Sequence, residues 1–368
     1  MGSHDIHVVR TLDEFLALKN EWNDLWERSP QLQPYQRWEW NYHWMRTCSN
    51  STKIYLVVVR GLSCELVGIA PLCQDRPFGF LTRLSFISQK DSVYPDFLIK
   101  AGHETEVIHS ILGHLHRIGV HALELVVTEP TATIGIVETI GQVTGWTVSE
   151  SVNYTKRLIV KLSDGYDTYL AELASKMRQE IRAETRKLEK LFALEFSNAD
   201  SDADLEERMR TLFRLNALKW NADPERCHPE RRECYRAFFR SREATVFTLA
   251  CNNRPIAALS ALLIKETLFA EIAGFDYSVA KVDLGKVFYH FLFQWAIKHG
   301  FKNIDLSSGE EDYKFRYNPD VFGKWRLTLY RNDSARSLFR FNAVYLKNMT
   351  TLKHRVARSR AYRLLRGK

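Results

Sequence analysis

Between Leu268 and Tyr317 the hydrophobic pattern changes period twice. Leu268, Ala270 and Ile272 alternate with Phe269, Glu271 and Ala273, the period-two signature of a half-buried strand. Gly274 and Asp276 break it. After a loop over 277–283, apolar positions at Leu284, Phe288, Phe291, Leu292 and Trp295 recur with helical spacing, and Gly300 is expected to close that helix as its C′ residue. Residues 303–306 return to strand, and a polar turn from Ser307 to Lys314 opens a second, short helix.

The rest of the chain is built from the same pieces. A strand over 5–10 leads into Thr11-Leu12-Asp13-Glu14, which has the form of a capping box with Thr11 as N-cap and Glu14 at N3. The helix it starts carries Leu12, Phe15, Leu18, Trp22 and Leu25 on one face. Trp38 begins an aromatic-rich helix, read as core or interdomain packing. There follow a hairpin (54–60 and 66–72), strands near 84–87 and 96–99, a helix over 104–118, and strands over 121–127 and 155–162. Residues 166–192 read as a helical connector. The order then recurs: a strand at 194–197, helices up to Trp220 and over 230–240, a hairpin (245–251 and 256–263), the strand–helix–strand described first, and a closing strand over 322–331. The pattern predicts an α/β (α+β) protein of two tandem units, each a mixed, mostly antiparallel sheet flanked by helices. Their expected bounds are 1–162 and 194–333, with a connector at 163–193 and a tail over 334–368.

Composition changes this picture in one place. The formal net charge is +8. Lys347, Lys353, Arg355, Arg358, Arg360, Arg363, Arg366 and Lys368 stand in a terminal stretch without acids, so those eight cations account for the whole excess and the body is neutral. Leu352, Val356, Tyr362 and Leu365 interleave with them. Peripheral contact with anionic lipid, RNA binding and a helix packed on the body all fit the tail. No nucleic-acid recognition motif occurs elsewhere, and nucleic acid is not the expected partner. Six scattered cysteines without a CxxC pair, no apolar run of membrane-spanning length and no signal peptide fit a cytoplasmic protein, and the lipid reading of the tail would put it at the inner face of the membrane.

Chemistry concentrates in the first stretch. The helix mouth at Gly285 and Lys286 offers backbone N–H groups and a cation to an anion such as a phosphate. The turn Ser307–Lys314 follows a strand's carboxyl end, where ligands of open sheets gather. Arg178, Arg182 and Arg186 share a helix face, either as solvated pairs with Glu180, Glu184 and Glu189 or as an anion site. The histidines between His103 and His121 match no zinc spacing, and no metal is expected. A serine-hydrolase elbow, a Walker loop and a dinucleotide glycine fingerprint are all missing, which lowers hydrolase, NTPase and dehydrogenase readings.

The element order of 194–331 resembles the GNAT acetyltransferase fold. Val67-Gly68-Ile69-Ala70-Pro71-Leu72, the arginine-rich connector at Arg178–Leu188, Leu218-Lys219-Trp220 and above all Asp305-Leu306-Ser307-Ser308-Gly309-Glu310-Glu311-Asp312-Tyr313-Lys314 look like the CelD-like group of GNAT-type proteins, associated with cellulose and exopolysaccharide production. That group is more distantly similar to Fem-type aminoacyl ligases, which also carry two GNAT-like units. The resemblance implies an acyltransferase that moves an acetyl or other acyl group from acyl-CoA to an amine or hydroxyl of a sugar or polysaccharide precursor. It places pantetheine along Ile272, Ala273 and Gly274, and the pyrophosphate at Lys281, Gly285 and Lys286. Asp283, Leu284 and Gly285 stand where many members have Pro-Gly. It offers Glu271 as base, directly or through a water, with Asp305 and Asp312 as competitors, and Tyr313 as the acid. Arg178, Trp220, Glu310, Lys314 and Arg316 become substrate-binding candidates. The turn after residue 127 lacks a comparable acid-Tyr-Lys phrase, so the first unit is expected to be structural or acceptor-binding. Two alternatives stand beside this reading: Fem-like, tRNA-dependent aminoacyl transfer to a cell-wall precursor, and a catalytically silent scaffold at a membrane polysaccharide machine.

Overall fold

The computed structural model describes residues 4–30, 32–47, 53–76, 80–89, 93–129, 133–220, 223–224, 229–279 and 281–339. The first half runs β1 (Asp5–Val9), α1 (Leu12–Ala17), α2 (Lys19–Glu27), α3 (Trp38–Thr47), β2 (Lys53–Arg60), β3 (Leu66–Asp75), β4 (Arg83–Phe86), β5 (Leu98–Ile99), α4 (Glu104–Arg117), β6 (Ala122–Thr128), α5 (Thr133–Val143) and β7 (Thr147–Lys161). Two helices, α6 (Tyr166–Glu172) and α7 (Ser175–Leu191), occupy the connector. The second half runs β8 (Leu194–Asn198), α8 (Asp202–Trp220), α9 (Pro229–Arg240), β9 (Ala244–Cys251), β10 (Arg254–Ile264), β11 (Thr267–Phe275), α10 (Leu284–Lys298), β12 (Asn303–Ser308), α11 (Asp312–Phe315) and β13 (Asp320–Tyr330).

Local chemistry sets several of these bounds. Thr11 and Glu14 make the expected capping box, Glu14 N donating to Thr11 Oγ1 and Thr11 N to Glu14 Oε2. Gly300 adopts a φ of +81° just past α10, a conformation that costs glycine little. Three elements differ from the sequence reading. The one helix expected from Thr11 is two, α1 and α2, parted at Leu18, and Leu12 is exposed. The strand expected from 155 begins at Thr147, because β13 pairs with it along that whole length. Helix α5 was not anticipated: TIGIVETIGQV is rich in β-branched residues and has no clear period, but Val137 and Ile140 are drawn into the core, and tertiary packing overrides propensity.

The strands form one mixed, mostly antiparallel sheet in the order β1-β2-β3-β4-β6-β13-β7-β12-β11-β10-β9-β8, with β5 beside β3. Two neighbouring pairs are parallel, β4 with β6 and β11 with β12, one in each half of the chain. The halves interlock. β13, from the far end of the sequence, lies between β6 and β7, while β7 reaches across to pair with β12. Helices cover the sheet. The aromatic residues of α2 and α3, Trp22, Trp26 and Trp40, share a core with Phe213 of α8 and Tyr235 and Phe238 of α9, so the aromatic-rich helix is core. Leu284, Phe288 and Leu292 of α10 pack with Met177, Ile181 and Leu188 of α7. Among the described residues no helix is long and apolar enough to cross a membrane. The cationic stretch 347–368 lies outside the described residues.

Candidate active site

The site begins where a parallel pair comes apart. β11 and β12 pair only at Thr267↔Asn303, Leu268↔Ile304 and Phe269↔Asp305. Beyond Phe269, β11 continues along β10 as far as Phe275, while β12 turns to β7 and meets it again at Ser308↔Arg157. A cavity of about 1500 Å³ fills the wedge, lined by residues 270–278 on one side and Leu306, Ser307 and Ser308 on the other. A bulge in β10 places Ser260 Oγ to accept from Ile272 N at 3.1 Å, which ties that amide away from the wedge. On the α8 side, Asn216 Nδ2 donates to Ala273 O at 2.9 Å.

Gly274 allows that contact. A Cβ there would lie 2.7 Å from Leu215 C and closer still to Asn216 N, both backbone atoms of α8. Gly274→Ala is therefore expected to destabilise the fold by about 1–3 kcal/mol, because a backbone cannot yield as a side chain does. A chemical denaturation midpoint unchanged from the parent would contradict this.

The inner wall is a linked set of buried ionic and phenolic groups. Glu271, on β11, lines the cavity with its side chain 0% exposed; it receives the Tyr35 hydroxyl on Oε1 and Arg231 NH1 on Oε2 at 2.7 Å. Burial pushes its pKa above the ordinary carboxylate value, against the downward pull of Arg231 and Tyr35. Lys324, from β13, lines the same wall with Arg231, and burial lowers its pKa to about 8. Behind them Asp305 is sealed: Tyr94 Oη and Ser307 N donate to Oδ1, both at 2.8 Å, and Arg157 Nε donates to Oδ2 at 2.8 Å. The Arg157 guanidinium also lies over the Tyr94 ring, 4.2 Å from its centroid.

The turn after β12 forms the outer wall. Ser307 holds a φ of +66°, uncommon for a residue with a Cβ, and its N–H is fixed on Asp305. Gly309 has a φ of +129°. Lys314 is buried at the cavity and donates to Ser308 O at 2.9 Å while pairing with Glu311 at 3.0 Å. Ser308 Oγ is buried at the cavity without a hydrogen-bond partner among the described residues. Tyr313 stands over Tyr289, their ring centroids 6.2 Å apart, and burial raises its phenol pKa.

At the third side, the mouth of α10 holds carboxylates. Asp283 is the N-cap and accepts from Lys286 N at 3.2 Å; Lys286 Nζ pairs with Asp283 and, at 3.4 Å, with Glu180. Glu184 of α7 accepts from Asp283 N at 2.9 Å. Arg316 pairs with Glu180 at 2.5 Å.

Of the residues expected from the sequence, Glu271, Ile272, Ala273, Gly274, Gly285, Lys286, Tyr313, Lys314 and Arg316 all line one cavity. Asp305 lies behind its wall and accepts three hydrogen bonds. Asp312, Glu310 and Lys281 are exposed and do not line it. Arg178 donates to the carbonyls of Ala171 and Leu173 at the end of α6. The Trp220 side chain lies outside the described residues. Tyr35, Tyr94, Arg157, Arg231 and Lys324 were missed. They come from five separate segments and carry no motif; strand pairing and packing, not spacing, bring them together.

Residues 175–315 match the family described as Acetyltransferase (GNAT) domain. Solved structures match over most of the chain. FemX aligns with a TM-score of 0.59 at 10% identity, covering 84% of this chain and 95% of that one. L-PGS from Bacillus licheniformis aligns with a TM-score of 0.54 at 11% identity, covering 89% and 95%. A tandem GNAT protein from the clavulanic acid biosynthesis pathway aligns with a TM-score of 0.51 at 12% identity, covering 89% and 99%. At such identities the shared property is the fold. No curated protein matches the sequence. The GNAT and Fem likeness read from the sequence thus holds for both domain and fold.

Proposed function

We propose that this chain is an acyltransferase whose donor is an acyl thioester of the coenzyme A kind, and whose acceptor is an amine or hydroxyl. The observation that carries the reading is the splayed β11–β12 pair, within a matched GNAT domain, opening a cavity that ends at buried Glu271. Ser308 Oγ, buried there and unpartnered among the described residues, supports a ligand, since such groups ordinarily find one. The finer acceptor, a sugar or polysaccharide precursor, rests on the likeness of the Asp305–Lys314 phrase to CelD-like proteins.

A thioester bound in the wedge supplies an activated carbonyl; the chain's own residues do the rest. β11 presents its wedge-side edge to an extended donor arm. Glu271 takes the proton from the acceptor, whose N–H or O–H takes over one of the hydrogen bonds now given by Tyr35 and Arg231. Lys324 and Arg231 put positive charge beside the reacting carbonyl, where negative charge develops. Tyr313, which lines the outer wall, then protonates the leaving thiolate.

The test is thiol release from acetyl-CoA at millimolar concentration across amines, amino sugars and sugar alcohols. Thiol release that depends on one acceptor class supports the reading. The absence of both turnover and binding would sink it. A Fem-like aminoacyl transfer would then lead, which the overlay on FemX over 84% of this chain favours.

A further inference from the structure

Proline restricts the backbone of Gln33-Pro34-Tyr35-Gln36, which closes a 3₁₀ turn over Pro34–Gln36, and the first half's aromatic core pins that turn in place. Trp22 Nε1 donates to Gln36 O at 2.7 Å, Trp26 Nε1 to Gln33 O at 2.8 Å, and Asn41 Nδ2 to Tyr35 O at 3.2 Å. The Tyr35 ring meets Trp40, Tyr94 and Phe269 edge-on, with centroids 5.0, 5.4 and 6.1 Å away. Its hydroxyl donates to Glu271 Oε1, on the far half of the chain. Burial and the nearby carboxylate hold the Tyr35 phenol well above its ordinary pKa, so it shares its proton and keeps it.

The two donors on Glu271 are not equivalent. Arg231, on Oε2, lines the cavity; Tyr35, on Oε1, is not among the described residues that line it. Arg231 is also hydrogen-bonded to Tyr235, so it has a partner on leaving Glu271. An acceptor entering through the cavity comes to the Arg231 side of the carboxylate.

Resting on the acyl-transfer reading above, we infer that Tyr35 is a positioning residue: it anchors Glu271 Oε1 through the reaction, and Oε2 exchanges Arg231 for the acceptor's N–H or O–H. The acceptor's proton passes to Oε2 as its nitrogen or oxygen bonds to the acyl carbon, and the C–S bonding pair leaves with the thiolate. The first half then completes the site, a role beyond the structural or acceptor-binding one expected from its sequence.

The experiment compares the full chain with Tyr35→Phe, which keeps the packed ring and leaves Arg231, Tyr235, Tyr94, Asp305 and Lys324 around Glu271 in place. Carbon-13 labelling of glutamate carboxyls gives a resonance that Glu271→Gln removes, and its titration reads Glu271 without substrate. A donor to a carboxylate favours the ionised form, so in Tyr35→Phe Glu271 should titrate at higher pH and the acid limb of the pH–kcat profile should move the same way. At neutral pH kcat should fall by about 10–100-fold, with KM for the thioester unchanged. In a Glu271→Gln background the same change should cost less than about threefold, because no carboxylate is left to position. A parent-like titration and kcat in Tyr35→Phe would overturn the inference and leave the acyl-transfer reading standing, as would an equal loss in both backgrounds. A parent that turns over no acceptor would overturn the acyl-transfer reading itself, and the titration would still decide whether Tyr35 governs Glu271.

Discussion

Glu271→Gln is expected to lower kcat/KM for acyl transfer by about 10²–10⁴-fold, the range a positioned general base supplies, while calorimetric affinity for the thioester stays at the parent value. Glutamine keeps the shape of the side chain and its carbonyl still accepts from Arg231 or Tyr35, so the wall of the cavity persists. What disappears is a carboxylate able to take a proton. The pH profile separates this from a loss of packing. Burial raises the pKa of Glu271, and a base works only when ionised, so parent activity should rise with pH through a value above the usual carboxylate range. That acid limb should vanish in the variant. Arg231 loses its counter-charge, so the melting temperature is measured alongside. A fall of less than about tenfold with the acid limb intact would remove Glu271 from the proton transfer. Lys324, with a pKa near 8 on the same wall, would take its place.

Period and punctuation made the β11–α10–β12 unit legible in the sequence. Alternation around Glu271, helical spacing from Leu284 and the stop at Gly300 all correspond to observed elements. Local signals also located both edges of the wedge, and thus nine of the residues that line it. The partners of the two buried acids were not legible. Arg157 reaches Asp305 because β7 crosses to β12, and Lys324 reaches the cavity because β13 inserts between β6 and β7. Neither pairing leaves a trace in spacing, because strand exchange joins segments far apart along the chain, 148 residues in the case of Arg157 and Asp305. The helix mouth shows the opposite limit. Gly285 and Lys286 read as an anion site on their own, and only the fold brings Glu184 and Glu180 of α7 beside it, on Asp283 N and Lys286 Nζ. Sequence placed the acids Glu271 and Asp305 in one candidate set; Glu271 lines the cavity, whereas Asp305 accepts three hydrogen bonds behind its wall.

Asp305→Ala is expected to destabilise the chain by about 3–5 kcal/mol, the cost of leaving a buried charge without its partner. Arg157 is only 6% exposed at its side chain and Asp305 1%, so water cannot take over the lost interaction. The change also strands the Tyr94 hydroxyl and the N–H of Ser307, a residue already held at positive φ. Because Asp305 joins β12 to β7, the loss falls on the seam between the two halves of the sheet. Denaturant unfolding of Asp305→Ala, Arg157→Met and the pair together separates the terms. Replacing both partners removes the unpaired charge, so Asp305→Ala/Arg157→Met should recover much of the stability that either single change loses. The same double variant decides the role of Asp305. As a support behind the wall, its replacement together with Arg157 should leave thioester binding intact and kcat within about tenfold of the parent, far from the loss expected for a general base. A double variant that is stable and binds thioester, yet is as inactive as Glu271→Gln, would move Asp305 from the scaffold into the chemistry.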